Sequence, residues 1–448
     1  MLKRKIDNYI DSYYSNNRNA LLITGARQIG KTFSIREFGK KFKSFIEINF
    51  IERPDAVDIF KGAKTTNDIL MRLSTITTKP LIKGETLIFF DEVQKYPDIV
   101  TAIKFLVDEG SYRYILSGSL LGVELKDLRS EPVGYMGIKE MFPMDFEEFI
   151  SCLGINDNVI ESLRNAWNNR IPVDNFIHSK IMELFRLYLI VGGMPAAVNK
   201  YIETNNMQEV LRIQQDIITL YKRDIAQYDT NNKLYIEDIF NLIPPELNSK
   251  NKRFILKKLN ENAKFDRYQN SFLWLKNAGV AIPVYNVDEP KMPLLLARSR
   301  NLFKLFQNDV GLLASQYAEG IQLRILKGDK DINFGSVYEN IVAQELTAHG
   351  INAFYYNNKK RGELDFVIEL EGRVLAIEGK TGKDYEFHRA LSNIMNCKEY
   401  DLQEAVVFNN DNLCVKDNIV YAPIYMVMFI EKKNEVPTYY KVDLSGIV

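Results

Sequence analysis

The chain has 448 residues, 46% hydrophobic and 26% charged, and its 58 Lys+Arg offset 58 Asp+Glu. At roughly 150 residues per domain this is a folded chain of about two to four units, which excludes a disordered or fibrous protein. Zero net charge offers no global attraction to nucleic acid, so such a partner would need a local basic groove.

The opening stretch, MLKRKIDNYIDSYY, has basic residues but no apolar core, so it does not read as a secretory signal. No apolar run approaches the roughly 18 residues that span a bilayer. Cys152, Cys397 and Cys414 lie far apart with no C-x-x-C pair, which predicts neither a disulfide framework nor a zinc site. A cytoplasmic setting without membrane contact fits these features best.

In chain order, the first predicted strand is ALLIT (20–24). Gly25-Ala26-Arg27-Gln28-Ile29-Gly30-Lys31-Thr32 follows and fits G-x-x-x-x-G-K-[ST] at every defined position, and the helical segment FSIREFGKKF comes next. In such a strand–loop–helix the backbone amides and the helix N-terminus face anionic phosphates. All eight loop residues are thus candidate ATP contacts. Lys31 would reach the β- and γ-phosphates, and the Thr32 hydroxyl would ligate Mg²⁺. FIEINF (45–50) reads as a strand with Glu47 and Asn49 on one face. TLIFF (86–90) is apolar throughout, as a central parallel strand should be, and ends in Asp91-Glu92. Asp91 would hold the magnesium shell and Glu92 would polarise the attacking water. YRYILSGS (112–119) is a further strand. Ser117 and Ser119 at its end are candidate γ-phosphate sensors or, equally, serines capping the next turn. The alternation predicts a doubly wound parallel α/β sheet of the P-loop NTPase class.

The segments ITGARQIGKT, LIFFDEVQKYPDIVTAIKFLVDE and YILSGSLLG, with MFPMDFEEFI (141–150), VGGMPAAV (191–198), LYKRDIAQY (220–228) and FGSVYENIVAQEL (334–346), resemble a family of prokaryotic AAA-like ATPases. In that family the P-loop domain is followed by a C-terminal domain of unknown function. The resemblance implies ATP hydrolysis and a helical lid over the nucleotide. Members usually carry a Gly-Arg pair before the MFPMDFEEF-like segment. Here the stretch is Pro132-Val-Gly-Tyr135, and the arginine of a trans-acting finger is missing. Arg129 is nearby, but a solvated surface arginine is the plainer reading.

Residues 178–228 have helical periodicity, broken at VGGMP (191–195) by Gly192, Gly193 and Pro195. Arg223 is either a nucleotide sensor or one half of a surface ion pair with Asp224 or Asp229. LYIEDIFNLI, FILKKLN and SFLWLKNAGV, then the strand AIPVYNV, follow the order of a winged helix. Lys250, Lys252, Arg253, Lys257 and Lys258 would give it a basic face for a DNA backbone, or for interdomain packing.

From about residue 330 the pattern changes. FGSVYENIVAQELTAHG predicts a helix carrying Glu339, and GELDFVIE (362–369) and VLAIEGK (374–380) predict a hairpin. Glu378 and Lys380 share a strand face, as do Glu363 and Asp365. Glu339, Asp365, Glu378 and Lys380 resemble the metal site of the restriction-endonuclease-like fold. The carboxylates would bind Mg²⁺, and Lys380 would act as a catalytic cation. His178, His349 and His388 read as helix-surface residues.

The expected layout is 1–150, P-loop AAA-like ATPase; 151–230, helical lid; 231–320, winged-helix-like; and 321–448, restriction-endonuclease-like. The expected function is ATP hydrolysis coupled to a nuclease-like domain acting on DNA. The alternative is a nucleotide-dependent switch that recruits a protein partner and no longer cuts. Oligomeric state and substrate stay open.

Overall fold

Alternate residues of the N-terminal strands are buried on opposite sides of one sheet. Leu21, Ile23, Leu87 and Phe89 join one apolar cluster, and Ala20, Leu22, Ile88 and Phe90 the other. Helices therefore cover both faces, as a parallel sheet requires. The strands are β1 (Ala20–Thr24), β2 (Ser44–Asn49), β3 (Thr86–Asp91), β4 (Arg113–Ser117) and β5 (Met136–Glu140). All pair in parallel, in the order β2-β3-β4-β1-β5. This computed structural model describes residues 2–119, 134–228, 233–249, 252–261, 264–318, 320–328, 335–382, 385–400 and 402–432. Arg129, Pro132, Asp229 and Lys250 lie outside them.

Four helices complete the unit: α1 (Lys5–Asn16), α2 (Lys31–Gly39), α3 (Thr66–Ile76) and α4 (Asp98–Glu109). In α1 the buried residues are Ile6, Ile10 and Tyr14, spaced at four to line one helix face. Then come α5 (Phe146–Cys152), α6 (Asp157–Asn169), α7 (Asn175–Val191), α8 (Pro195–Thr204) and α9 (Met207–Tyr228). The expected break at VGGMP separates α7 from α8. Gly193 sits where a Cβ would lie 2.0 Å from the Met144 carbonyl oxygen. Its own N–H donates to the buried Asp309 carboxylate at 2.6 Å, and burial pushes the Asp309 carboxyl up to about 6.

The middle departs from three regular helices. α10 (Lys233–Leu247) and α11 (Phe265–Asn277) form, but FILKKLN holds only a 3-10 turn at Leu256–Lys258. Its backbone is committed elsewhere. Phe254 N–H donates to the Phe303 carbonyl at 3.0 Å, and Ile255 N–H to Glu246 Oε2 at 3.1 Å. The basic face is also partly spent, because Lys252 pairs with Glu339 and Lys258 with Glu246.

The hairpin β6 (Ala281–Val287) and β7 (Arg298–Gln307) does not stand alone. After α12 (Val310–Ser315), α13 (Ile321–Leu326) and α14 (Gly335–Ala348) come β8 (Ala353–Asn358), β9 (Gly362–Leu370) and β10 (Arg373–Gly379). Next are α15 (Arg389–Met395), β11 (Ala405–Asn409), β12 (Cys414–Lys416) and β13 (Ile419–Pro423). β6 pairs with β8 in parallel, Tyr285 opposite Phe354, giving one eight-stranded sheet β12-β13-β11-β10-β9-β8-β6-β7. The hairpin expected at 362–380 is present as antiparallel β9–β10.

Buried polar contacts join the N-terminal unit to α14. Arg4 donates to the Ile29 carbonyl and to the Phe142 carbonyl, both at 2.8 Å, and pairs with Glu148 at 3.1 Å. Phe146 N–H donates to Glu345 Oε1 at 2.9 Å. His349 is buried here rather than on a helix surface. Its Nδ1 lies 2.7 Å from the Ile430 carbonyl, and its Nε2 lies 3.6 Å from Asp145 and 3.7 Å from Glu345. Residues 336–346 of the helix it follows are all buried, so that stretch has no solvent face. His178 and His388 are half-buried, bonded to Tyr425 and Tyr421. No helix of the described residues is long and apolar enough to cross a membrane.

Candidate functional site

β1 delivers the chain into a loop whose shape only certain residues allow. Gly25 has φ +129° and Gly30, which precedes α2, has φ +96°. A Cβ on Gly25 would also lie 2.2 Å from the Met141 carbonyl oxygen. Gln28 takes φ +66° between them. Lys31 then starts α2 with its ammonium folded back over the loop. It donates to the carbonyls of Gly25 at 2.9 Å and Ala26 at 2.7 Å. Burial pulls its pKa down to about 8, against the pull of Glu92 and Asp91.

β3 brings Asp91 to the same edge, where four donors hold it. Thr32 Oγ1 donates at 3.1 Å, Asn49 Nδ2 at 3.2 Å, the Glu92 N–H at 3.0 Å, and Ser117 Oγ donates as well. Burial still raises its pKa. Glu92 has φ +57° and accepts from Gln94 Nε2. Gln94 Nε2 and Arg27 Nε each lie 3.3 Å from the Ser119 hydroxyl. A cavity of about 790 Å³ opens on Arg27, Lys31, Thr32 and Glu92, with Pro195 and Leu220 across from them. That volume suits a nucleotide-sized ligand.

The expected P-loop residues and Asp91, Glu92 and Ser119 are therefore gathered at one edge. Ser117 serves Asp91 rather than a turn. Arg223 is exposed, and its expected partner Asp224 pairs instead with Arg27 Nη1 at 2.5 Å. Gln94 and Arg4 were not anticipated, nor was the pairing of Asp224 with the loop. Gln94 alone left a local signal, two residues past Asp91-Glu92.

One prediction follows from Lys31. If phosphates need its ammonium, the free protein must take up a proton to bind ATP above about pH 8. ATP affinity should fall about tenfold per pH unit above that point, as single-proton linkage requires. Titration calorimetry across pH 7 to 9.5 checks it, and a flat profile would remove Lys31 from the binding step.

The C-terminal acids form a second cluster. Glu378 pairs with Lys380 at 2.7 Å on the face expected for both, and Asp365 Oδ2 accepts from Gly379 N–H at 2.9 Å. Burial, then Asp365, pushes Glu378 up to about 8, and its Oε1 has no hydrogen-bond partner. Lys304, on β7, was not anticipated. It is fully buried and lies between Glu339 at 3.1 Å and Glu363 at 2.8 Å. Burial pulls its pKa down, but Glu339, Asp365 and Glu363 raise it by more, so it is charged. Among the described residues no three His, Cys, Asp or Glu side chains are arranged to hold a metal ion.

Residues 17–150 match a family model described as an AAA domain. Residues 182–322 and 334–427 match two others, each described as a domain of unknown function. No curated protein is significantly similar in sequence. Distantly similar solved structures include the Walker-type ATPase PABY2304 of Pyrococcus abyssi. It is 13% identical with TM-score 0.43, over 70% of this chain and 96% of that one. The Aeropyrum pernix ORC1 protein in complex with DNA is 11% identical with TM-score 0.27, over 73% and 91%. The Thermotoga maritima RuvB Holliday junction branch migration motor is 13% identical with TM-score 0.27, over 65% and 91%.

Proposed function

We propose, from the premise that residues 17–150 are an AAA-type P-loop ATPase-like domain, that the chain binds and hydrolyses ATP as a switch acting on its C-terminal sheet. The observation that carries this is the Thr32–Asp91–Ser117 hydrogen-bonded set beside Lys31, with Thr32 and Lys31 lining the cavity. Phosphates entering the loop would draw the Lys31 ammonium from the Gly25 and Ala26 carbonyls. Thr32 and Asp91 are oxygen donors 3.1 Å apart, and the Asp91 carboxyl is buried with no direct ion pair among the described residues, so they fit Mg²⁺. When bound, that ion would neutralise charge on the β- and γ-phosphates. Glu92 orients the water and takes its proton, while Gln94 holds the carboxylate.

Three contacts support an output beyond the ATPase domain. Tyr221 and Asp224 of α9 touch Arg27 of the loop, and Glu345 of α14 holds the start of α5. Either element could respond to what occupies the cavity. The recruited partner in this reading is a protein.

A second reading, phosphodiester hydrolysis at Glu339, Asp365, Glu378 and Lys380, draws on their convergence. Against it, Lys304 and Lys252 already neutralise Glu339, and Lys304 also pairs with the neighbouring Glu363.

Glu92→Gln should bind ATP within a few-fold of wild type and lose about 10²-fold or more in turnover, the usual worth of a general base. Unchanged turnover would remove Glu92 from the reaction. Wild type should not cleave single- or double-stranded DNA with Mg²⁺. Cleavage that disappears in Asp365→Ala and Lys380→Ala would replace the switch with a nuclease.

A further inference from the structure

We propose that Arg27 is a catalytic cation for the γ-phosphoryl group, supplied in cis by the phosphate loop and aimed by Asp224 of α9. The inference rests on the ATPase reading above.

The cavity wall carries four basic residues of note, and three are committed. Lys31 belongs to the phosphates. Arg4 is spent on the Ile29 and Phe142 carbonyls and on Glu148. Arg36 makes a two-pronged pair with Glu47 at 2.9 and 2.7 Å. Arg27 is also ion-paired, through Nη1 to Asp224, but it is the guanidinium on the loop itself, between Gly25 and Gly30, and is a quarter exposed.

Its orientation is set from two elements. Nε donates to Ser119 Oγ at 3.3 Å, and Nη1 pairs with Asp224 Oδ1 at 2.5 Å. The Arg27 carbonyl accepts from Tyr221 OH at 3.3 Å, so α9 grips both the side chain and the backbone. Among the described residues Nη2 has no hydrogen-bond partner. A guanidinium held at one edge with its other N–H groups open is a preorganised donor for phosphate oxygens. The same Ser119 hydroxyl accepts from Gln94, which also holds Glu92. The cation and the base thus share one hydrogen-bonded chain at the mouth of the cavity.

In the step, the water oxygen bonds to the γ-phosphorus and its proton passes to Glu92. The bond from that phosphorus to the bridging oxygen breaks, and its electron pair leaves on ADP. Negative charge grows on the γ-oxygens and the bridging oxygen, where Arg27 would stabilise it without a residue from a second chain. Asp224 is a positioning residue, acting only through Arg27.

The test uses the full chain. Arg27→Ala should keep ADP affinity within a few-fold and lose about 10³-fold in turnover, the scale of an arginine supplied to a phosphoryl transfer. Wild type should bind ADP more tightly with aluminium fluoride than without it, and Arg27→Ala should lose that gain. Retained ADP affinity reports that the variant folds, and Arg27→Lys, a point charge without the fork, should recover only part of the rate. Asp224→Ala should lower kcat about tenfold or more with KM unchanged, and have no further effect on Arg27→Ala, as expected for one pathway. A mixture of Arg27→Ala and Lys31→Ala chains should stay inactive. Turnover regained on mixing would place Arg27 in trans and overturn the proposal, as would Arg27→Ala working within tenfold of wild type. A wild-type chain that neither binds nor hydrolyses ATP would instead overturn the ATPase reading.

Discussion

Lys31→Ala should abolish ATP turnover and weaken ATP binding by at least tenfold. The Lys31 ammonium is the one cation of the loop placed on its carbonyls, at 2.9 and 2.7 Å, within a site that burial has already desolvated. A charged hydrogen bond to phosphate there contributes about 1.5–3 kcal/mol to binding, and more where charge builds up during reaction. Stability should change little. The loop carbonyls lose a donor, but a desolvated charge is also removed. Calorimetric titration with ATP and a turnover assay, run beside thermal unfolding, separate these effects. Normal hydrolysis in a folded Lys31→Ala chain would place the nucleotide elsewhere.

The second large effect is structural. Lys304→Met should destabilise the chain by about 3–5 kcal/mol, the cost of removing one partner from a buried ion cluster. Methionine is one atom shorter and keeps most of the apolar stem, but Glu339 and Glu363 lose the ammonium between them. Lys252 reaches Glu339 from the other side and cannot serve both acids. Protonation relieves the deficit. Burial already raises the Glu339 carboxyl, and a carboxyl with a raised folded pKa contributes stability at low pH that is lost as pH rises through that pKa. The gap between Lys304→Met and wild type should therefore be smallest in acid and widen towards neutral pH. Urea unfolding at several pH values measures it, and Glu339→Gln in the same chain should recover part of the loss. A midpoint unmoved at neutral pH would mean that the cluster contributes nothing net.

What could be read from the residues alone was whatever is local in the chain. The phosphate loop is eight consecutive residues. Asp91 and Glu92 end a run buried at every position, and the two-residue alternation that paired Glu378 with Lys380 survives any tertiary context. Contacts made across the sequence left no such trace. Asp224 meets Arg27 from 197 positions along the chain, and Glu345 meets Phe146 from another unit. Lys304 did leave a faint sign, a lysine flanked by apolar Phe303 and Leu305, in the half of the strand that is buried. FILKKLN misled because its spacing is helical while its backbone donors are taken by Phe303 and Glu246. His349 misled because exposure was assumed for the end of a helix whose residues 336–346 are all buried.

The sheet shared by β6 and β8 has a consequence for how the chain is made. Residues 182–322 and 334–427 match separate families, yet β6 is bounded on one side by β8 of the later segment. During synthesis Tyr285 emerges about 70 residues before Phe354, several seconds at the usual elongation rate. Throughout that interval the β6 edge offers unpaired amides and carbonyls to any passing strand. Chains that stall between the two segments would expose it indefinitely, so cells have reason to clear incomplete copies quickly, and any recombination that exchanges one segment must bring a matching edge with it.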